Sequence, residues 1–360
     1  MDSSLATPPV GVAAEDLPDV AELSRMPGPF VSVVMNTHRE LPDAARQVQA
    51  AWERVAQGLA RDGAPTALLE RVREQIGTAR TDGSAVAVIA AGDSLAVRTH
   101  DEPTEELAVW DTAPVLAPFV DWEQSTPPGV LAVVDRTGAD LFATGCVDPV
   151  EVVEGQDGPI VHRGAPGGWS QRRFQQRAER TWRANAASVA EQLQRVVEDI
   201  DARVVVIAGD VRAVREVLDQ LPPEIRAIVH QAAGSRGEGS TGHLADDTRR
   251  WYRSVVAEDS VALIRKFEEE LGQRDRGVSG VGPTLEALRM SAVDTLLVHD
   301  AELRAQRVPV DAGDAAAPDA LIAAAWATGA RVRVVPGLPG MDDGVGALLR
   351  FPVGAESDPA

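Results

Sequence analysis

The sequence contains little cysteine and no long apolar run. Cys146 is the only cysteine in 360 residues, so no disulfide can form within the chain, and a reducing compartment is expected. No apolar run approaches the ~18 residues that a membrane-spanning helix needs. The first twenty residues lack the basic and apolar segments of a secretory signal. These absences argue against export and membrane spanning, and they predict a cytoplasmic protein.

Aromatic residues and lysine are also scarce. Aromatics make up 4% of the chain, and Lys266 is the only lysine among 35 basic residues. Hydrophobic residues (44%) and charged residues (25%) are nevertheless present in the proportions of an ordinary globular protein. The length allows two or three domains, each with its own core.

Positive charge is concentrated in one stretch of an acidic chain. The net charge is -20, yet residues 163 to 183 contain six arginines and a single acid, Glu179. The arginines are Arg163, Arg172, Arg173, Arg177, Arg180 and Arg183. Affinity for phosphate comes from Arg and Lys displacing condensed counterions, so a chain this acidic can approach nucleic acid only through a local basic patch. This stretch is the only candidate for such a patch.

A glycine-rich segment directly precedes most of these arginines. The string Gly167-Gly168-Trp169-Ser170-Gln171-Arg172-Arg173-Phe174 resembles the GGQSxxRF stretch of the archaeo-eukaryotic peptide-chain release factors and their Pelota relatives. Trp169 stands where the catalytic glutamine of that family would stand. Residues 281–298 are similar to the start of the family's C-terminal domain. The two segments identify the chain as a member of the bacterial branch, which includes the Balon-type ribosome hibernation factors.

The resemblance and the residue patterns together predict three α/β domains. These are an N-terminal α/β domain at 1–124 facing the small ribosomal subunit, a middle domain at 129–232, and an α/β C-terminal domain at 243–360. The middle domain carries the glycine-rich loop and is expected to have an RNase H-like mixed sheet. Ser125 to Gly129 is a linker by composition.

Local patterns predict the main elements of each domain. In the first domain they indicate a buried strand at 30–37, helices from 42 to about 58 and at 64–79, and a hairpin at 84–99 that turns at Gly92-Asp93. Middle-domain strands are predicted at 130–135, 139–144, 150–154, 202–209 and 225–230. In the last domain we predict a helix at 244–271, whose apolar side contains Trp251, Val255, Val261, Ile264, Phe267 and Leu271. We also predict a flexible loop at 277–283 and neighbouring strands at 295–299 and 330–336.

The predicted ribosome- and RNA-binding residues lie at the loop and the helix after it. They are Gly167, Gly168, Trp169, Ser170, Gln171, Arg172, Arg173, Arg177 and Arg180. Glycines without a Cβ suit a backbone that threads a narrow RNA tunnel, and the planar guanidinium fork of arginine suits phosphate. A purely structural interpretation also stands, in which the glycines form a helix entry with Ser170 as its N-cap.

The resemblance implies a role on the ribosome, and Trp169 bears on its chemistry. In the release factors, hydrolysis of peptidyl-tRNA depends on a glutamine that positions water, whereas an indole has one donor and no carbonyl. We therefore expect no catalysis, no cofactor and no small-molecule substrate. The protein would occupy the vacant A site and hold the ribosome inactive, with elongation factor Tu as a candidate delivery partner. The alternative is a peptidyl-tRNA hydrolase for rescue, in which Gln171 takes the missing role.

A nuclease is the third hypothesis. Asp135, Asp140, Glu154 and Asp210 lie near predicted strand ends, where an RNase H-like nuclease would bind metal. Charged strand ends are usually solvated, so no metal site is expected. Cys146 is predicted to be a small buried residue on a strand.

The first domain lacks the family's codon-reading motifs. It contains no NIKS-like or YxCxxxF-like string, so stop-codon decoding is not expected. Trp110 and Trp122 are flanked by apolar residues and are predicted to pack in a core or between domains.

Overall fold

A computed structural model describes residues 10–37, 43–79, 84–144, 146, 149–154, 168–235, 241–273, 275–310, 313–337 and 340–353. The chain forms two compact units. Unit 1 comprises Met1–Gln124 together with Asp259–Ala360, and unit 2 comprises Ser125–Glu258. Unit 2 begins in the predicted linker, and the predicted first domain lies in unit 1. The predicted last domain lies in unit 1 from residue 259 onwards, whereas its residues 243–258 lie in unit 2. The division into three domains stays a prediction.

The N-terminal part of unit 1 contains four helices and four strands among the described residues. They are α1 (Pro18–Ser24), β1 (Phe30–Asn36), α2 (Ala44–Arg61), α3 (Thr66–Ala79), β2 (Ala85–Ala91), β3 (Ser94–His100), β4 (Leu107–Asp111) and α4 (Ala117–Ser125). The strands form an antiparallel sheet in the order β3-β2-β1-β4. The predicted hairpin is confirmed, with Ala91 opposite Ser94 and Gly92 at φ +51° in the turn.

Unit 2 follows with β5 (Gly129–Val134), β6 (Gly138–Ala143), β7 (Glu151–Glu154), α5 (Gly168–Asp199), β8 (Val204–Gly209), α6 (Val211–Gln220), α7 (Pro223–Ala227) and β9 (Val229–Gln231). The sheet order is β7-β6-β5-β8-β9. The β5–β8 and β8–β9 pairs are parallel and the others antiparallel, which confirms the predicted mixed sheet.

The remaining elements begin with α8 (Thr241–Gln273), in which the division between the two units falls. After it come β10 (Gly277–Ser279), α9 (Val281–Arg289), β11 (Val293–Val298), α10 (Asp300–Leu303), β12 (Arg307–Val310), β13 (Gly313–Ala316), α11 (Ala317–Ala327), β14 (Arg331–Val334) and β15 (Val345–Leu349). A four-stranded sheet has the order β10-β15-β11-β14. As predicted, the strand near 295–299 pairs with the strand near 330–336, in parallel.

Both faces of each large sheet carry a core. In unit 1, α2 and α3 cover one face of the first sheet, where Trp52 and Val72 pack on Val33 and Val88. In unit 2, α5, α6 and α7 cover one face, and Leu244 of α8 packs on the other face against Val133 and Ala208. Strands buried on both faces explain the continuous apolar runs in the sequence.

Four local predictions were wrong. The predicted strand at 225–230 begins as helix α7, because Pro222 and Pro223 preset the backbone of a first helical turn, and the strand is limited to Val229–Gln231. The predicted flexible loop at 277–283 contains β10 and the start of α9. Cys146 is exposed and lies outside the strands. Val261, predicted on the apolar side of α8, is 48% exposed.

The two tryptophans of the first domain lie where they were predicted. Trp122 is buried in the unit 1 core, and Trp110 is half-buried against the core beneath α2 and α3. No helix in the described part of the chain is long and apolar enough to cross a membrane.

Candidate nucleic-acid interface

Helix α5 extends well beyond the part that packs on the sheet. The helix has 32 residues and is therefore about 48 Å long at 1.5 Å per residue. Its described side chains become buried only from Asn185 onwards. The buried apolar residues are Ala186, Val189, Ala190, Leu193 and Val197, whose three- and four-residue spacing forms one face against the sheet. Gly168 precedes Ala186 by about 27 Å along the helix axis.

The predicted binding residues lie mostly on this helix. Gly167 lies outside the described residues, whereas Gly168 to Arg177 lie in the helical backbone of α5, with side chains outside the described part. The helix begins at Gly168, so Ser170 lies within its first turn, and the interpretation of Ser170 as the N-cap is wrong. Arg180 is exposed, as is its neighbour Glu179. The role of these residues in binding stays a prediction.

The strand-end carboxylates have local structural partners. Asp135 follows β5, and its Oδ1 accepts hydrogen bonds from the Thr137 amide (2.7 Å), the Thr137 hydroxyl (2.7 Å) and the Gly138 amide (2.9 Å). This closes the β5–β6 turn. Asp210 caps α6 by accepting from the amides of Arg212 and Ala213 at 3.0 and 3.1 Å.

Asp210 also pairs with an arginine across the sheet end. Its Oδ2 lies 3.2 Å from Nη2 of Arg136. Burial raises the pKa of the Asp210 carboxyl, but hydrogen bonds from the Ala213 amide and Arg136 outweigh burial and hold the pKa below its usual value. Among the described residues no group of three or more His, Cys, Asp or Glu side chains is placed to hold a metal ion.

A cavity that the residue patterns did not predict lies beside these residues. It has a volume of about 500 Å³ and lies between α5, α6 and the β5–β6 turn. The guanidinium carbon of Arg136 lies 4.9 Å from the centroid of the Trp182 ring, and both residues line the cavity. Arg183 of α5 and Glu216 of α6 also line the cavity, with Arg183 Nε 3.7 Å from Glu216 Oε2. The topology of the predicted sheet could have located this cavity, because loops that follow two adjacent parallel strands converge at one sheet edge.

The opposite face of the unit 2 sheet is closed by aromatic residues of α8. The Tyr252 hydroxyl lies 2.9 Å from the Thr144 hydroxyl, and a Cβ added at Gly129 would come within 2.7 Å of the Tyr252 oxygen. Trp251 stacks on His230 with ring centroids 4.2 Å apart. These contacts seat the first half of α8 on the sheet.

Comparisons with known proteins cover most of the chain. Residues 128–273 match the family described as Bacterial archaeo-eukaryotic release factor family 2, and residues 257–353 match eRF1 domain 3. Two uncharacterized proteins from two strains of Mycobacterium tuberculosis are each 31% identical to this chain over 363 residues. The match spans 90% of this chain and 94% of theirs.

Solved structures similar to the chain come from archaea and yeast. The archaeal translation termination factor aRF1 is 17% identical, with a TM-score of 0.26 and coverage of 94% of this chain and 97% of that one. Archaeoglobus fulgidus Pelota is 20% identical (TM-score 0.34, coverage 74% and 79%). S. cerevisiae Dom34 is 9% identical (TM-score 0.41, coverage 75% and 80%). On the family matches and the relatives at 31% identity, the chain belongs to the bacterial archaeo-eukaryotic release factor-like family.

Proposed function

We propose that the protein is a cytoplasmic translation factor that binds the vacant A site of the ribosome and holds the ribosome inactive. The observation that supports this proposal is the continuity of helix α5. One continuous helix joins a buried half, seated on the unit 2 sheet, to an N-terminal half that contains Arg172, Arg173, Arg177 and Arg180. Family membership supplies the expected target, the ribosome.

The electrostatics favour docking through this helix. The body of the chain is acidic enough to be repelled by ribosomal RNA, so the attractive surface is the arginine stretch. Each phosphate that an arginine neutralises releases counterions, and the logarithm of the affinity falls by roughly 0.7 to 0.9 per phosphate for each tenfold rise in salt. Binding through several arginines is therefore steeply salt-dependent.

Trp169 favours occupancy over catalysis. Hydrolysis of the peptidyl-tRNA ester requires water held within about 3–3.5 Å of the carbonyl carbon. An indole offers one N–H donor and no acceptor that could orient that water. A bulky ring at this position excludes water and obstructs an incoming aminoacyl end. Inhibition then follows from occupancy alone, and delivery by elongation factor Tu remains a separate prediction of the resemblance.

The binding test compares vacant ribosomes with ribosomes whose A site holds a tRNA. Co-sedimentation is measured across a salt series with the wild-type chain and with a triple variant, Arg172→Glu, Arg173→Glu and Arg177→Glu. We expect the wild type to bind vacant ribosomes selectively and the triple variant to lose binding by at least about a hundredfold. A matched control reverses Arg249, Arg250 and Arg253 on α8, which changes the net charge equally and should leave binding intact.

Two results would contradict the proposal. One is equal binding to vacant and occupied ribosomes, and the other is retained binding by the α5 triple variant at low salt. A second assay separates occupancy from rescue by measuring peptide release from labelled peptidyl-tRNA on the ribosome and inhibition of a reconstituted translation reaction. We expect inhibition without release. Peptide release that disappears in Gly168→Ala would instead establish a hydrolase, with Gln171 as the first residue to test.

A further inference from the structure

We propose that unit 2 contains a binding site for a guanine nucleotide in the cavity lined by Trp182, here called the Trp182 cavity. The cavity is lined by the middle of α5, by α6 and by the β5–β6 turn, and the proposal does not use Arg172, Arg173 or Arg177. It does not depend on ribosome binding.

The cavity lies where the sheet topology brings loops together. β5 and β8 are adjacent and parallel, and their carboxyl ends lead into the β5–β6 turn and into α6. In the sheet order β7-β6-β5-β8-β9, the strand that follows β5 in the chain lies beyond β5, whereas the strand that follows β8 lies beyond β8 at the other end of the sheet. The strand order therefore reverses between β5 and β8. Ligands of open α/β sheets bind outside the carboxyl ends of strands at such a reversal. The cavity of about 500 Å³ lies there and is large enough for a nucleotide.

Gly209 fixes the geometry of this edge. It ends β8 at φ +137°, and a Cβ at that position would come within 1.8 Å of the Val134 carbonyl oxygen of β5. Glycine therefore allows the two strand ends to touch. The next residue, Asp210, caps α6, and its Oδ2 lies 3.2 Å from Arg136 Nη2. The Arg136 guanidinium is thereby fixed against the Trp182 ring.

Trp182 and Arg136 provide a stacking platform suited to a base. The indole is half-buried, lines the cavity and has the Arg136 guanidinium 4.9 Å from its centroid. A second hydrogen bond orients the turn, because Asn185 Nδ2 donates to the Arg136 carbonyl oxygen at 2.9 Å, and Asn185 is buried. Aromatic rings and guanidinium planes both stack on nucleobases. The platform is thus assembled before any ligand arrives.

The polar groups around the platform favour guanine over the other bases. The cavity wall contains equal numbers of arginines and carboxylates, so the ligand must offer donors as well as negative charge. Guanine presents adjacent N1–H and N2–H donors that a carboxylate accepts, whereas adenine presents no such pair. Arg212 and Arg215 line the same wall and can bind the phosphate.

Glu216 is the carboxylate that we assign to the base edge. It lines the cavity from α6, and within the described part of the chain it has one ion pair, to Arg183 at 3.7 Å. That distance is long for a charge-assisted hydrogen bond, so the pair can yield to a better donor. The ligand can be a free guanine nucleotide or a guanosine that projects from an RNA chain. Both present the same base edge and a 5′ phosphate.

The test is isothermal titration of the full chain with GMP, AMP and CMP, and with two single-stranded RNA pentamers that differ only in a central G or A. We expect saturable GMP binding that is at least about tenfold tighter than AMP or CMP binding. Tighter binding of the G pentamer than of GMP identifies RNA as the source, and equal or weaker binding identifies the free nucleotide. Absence of binding by GMP and by the G pentamer overturns the proposal, as does equal affinity for GMP and AMP.

Variants separate the stacking platform from the base-edge contact. Trp182→Ala should weaken GMP binding at least about tenfold, and Trp182→Phe should retain most of it because a phenyl ring still stacks. Glu216→Gln keeps the shape but should bring GMP affinity down to the AMP level. Trp251→Phe and Arg195→Ala, which alter unit 2 outside the cavity, serve as controls, and thermal unfolding confirms that each variant is folded. Unchanged GMP affinity in both Trp182→Ala and Glu216→Gln would rule out this site.

Discussion

The two units of the molecule are stabilised in different ways. Unit 2 is one continuous stretch of chain, whereas unit 1 joins an N-terminal and a C-terminal stretch around a shared core. Polar contacts link the two stretches of unit 1. The buried Asp319 carboxylate accepts from the Leu116 amide at 2.8 Å, and Arg307 Nη1 lies 2.6 Å from Asp111 Oδ2. In unit 2 the ends of β5 and β8 meet in a close backbone approach at Gly209, where an added Cβ would lie 1.8 Å from the Val134 carbonyl oxygen.

Helix α8 contributes aromatic rings to both units. In unit 1 its Phe267 ring packs against Gly346 of β15, and in unit 2 its Tyr252 ring packs against Gly129 of β5. Phe267 is almost fully buried and has no polar atom, while Tyr252 is half-buried and hydrogen-bonds to Thr144. The apolar contact should therefore be worth more than the polar one. Substitutions at these contacts should therefore differ in their cost in unfolding free energy.

Substitution of Gly209 by alanine should have the largest effect. The added Cβ would overlap the Val134 carbonyl at 1.8 Å, and φ +137° is strained for any residue with a side chain. Since neither strand can move without breaking the β5–β8 pairing, we expect a loss of unfolding free energy above about 4 kcal/mol. Denaturant unfolding of the full chain, monitored by circular dichroism, measures it.

The matched control is Gly58→Ala in α2. Nothing lies within 4 Å of the added Cβ there, and alanine favours a helix interior, so a gain of roughly 0.5–1 kcal/mol is expected. If Gly209→Ala unfolds with the wild-type midpoint, the close approach of β5 and β8 does not exist in solution.

Phe267→Ala should come next. The ring is 1% exposed and packs with Leu263, Leu297 and Leu348, so its removal leaves a cavity on the C-terminal sheet. Such truncations cost about 3–5 kcal/mol. Calorimetric unfolding of this variant should show the loss, and Phe267→Leu should recover part of it. A cost below about 1 kcal/mol would show that the ring is not a principal contact of the unit 1 core.

The sequence predicted the elements that depend on local pattern. The strand at 30–36, the hairpin around Gly92 and the pairing of β11 with β14 follow from alternation, turn residues and apolar runs. It did not predict β10, because Gly277 to Ser279 become a strand only by pairing with Gly346 to Leu348, far along the chain. The same holds for Val12, whose amide bonds the Val332 carbonyl oxygen at 2.7 Å.

The candidate interface was predictable only in part. The glycine–arginine string is visible in the sequence because its residues are adjacent. Arg136, Trp182 and Glu216 come from a turn and two helices, and only the sheet order brings them around one cavity. Asp135 and Asp210 were correctly located near strand ends, but their hydrogen bonds to the turn and the cap could not be read from spacing.

Asp319 should give unit 1 a pH dependence. Burial raises the pKa of this carboxyl from 3.8 to about 6, against the opposing effect of Arg304. Because the pKa is raised in the folded state, the contribution of Asp319 to the free energy of unfolding is fully present below pH 3.8, the unfolded-state pKa. It is lost as the pH rises through about 6, the folded-state pKa. Between pH 4 and 7 the wild type should therefore lose stability relative to Asp319→Asn, on the order of 2 kcal/mol.

Asp19→Asn provides the contrasting case. Burial raises the pKa of Asp19, but the hydrogen bonds and charge of Arg98 outweigh it and lower the pKa below 3.8. The contribution of Asp19 to the free energy of unfolding is therefore fully present above pH 3.8, the unfolded-state pKa. It is lost only as the pH falls through the lower pKa of the folded state. The difference between wild type and Asp19→Asn should be flat from pH 4 to 7. An equally flat difference for Asp319→Asn would show that the Asp319 carboxyl titrates normally.

Tyr252→Phe should have the smallest effect and isolates the polar half of the α8 comparison. The ring still packs on Gly129, and only the hydrogen bond to the Thr144 hydroxyl is removed. Thr144 Oγ1 keeps the Pro127 and Gly129 carbonyl oxygens as acceptors at 3.1 Å, so no buried donor loses its partner. The expected cost in unfolding free energy is therefore about 0.5–1.5 kcal/mol.

Burial raises the pKa of the Tyr252 hydroxyl above 10.0, so the cost of Tyr252→Phe should not change between pH 6 and 9. A double-mutant cycle with Thr144→Val should return a coupling energy of similar size, and a coupling near zero would show that the two hydroxyls do not interact.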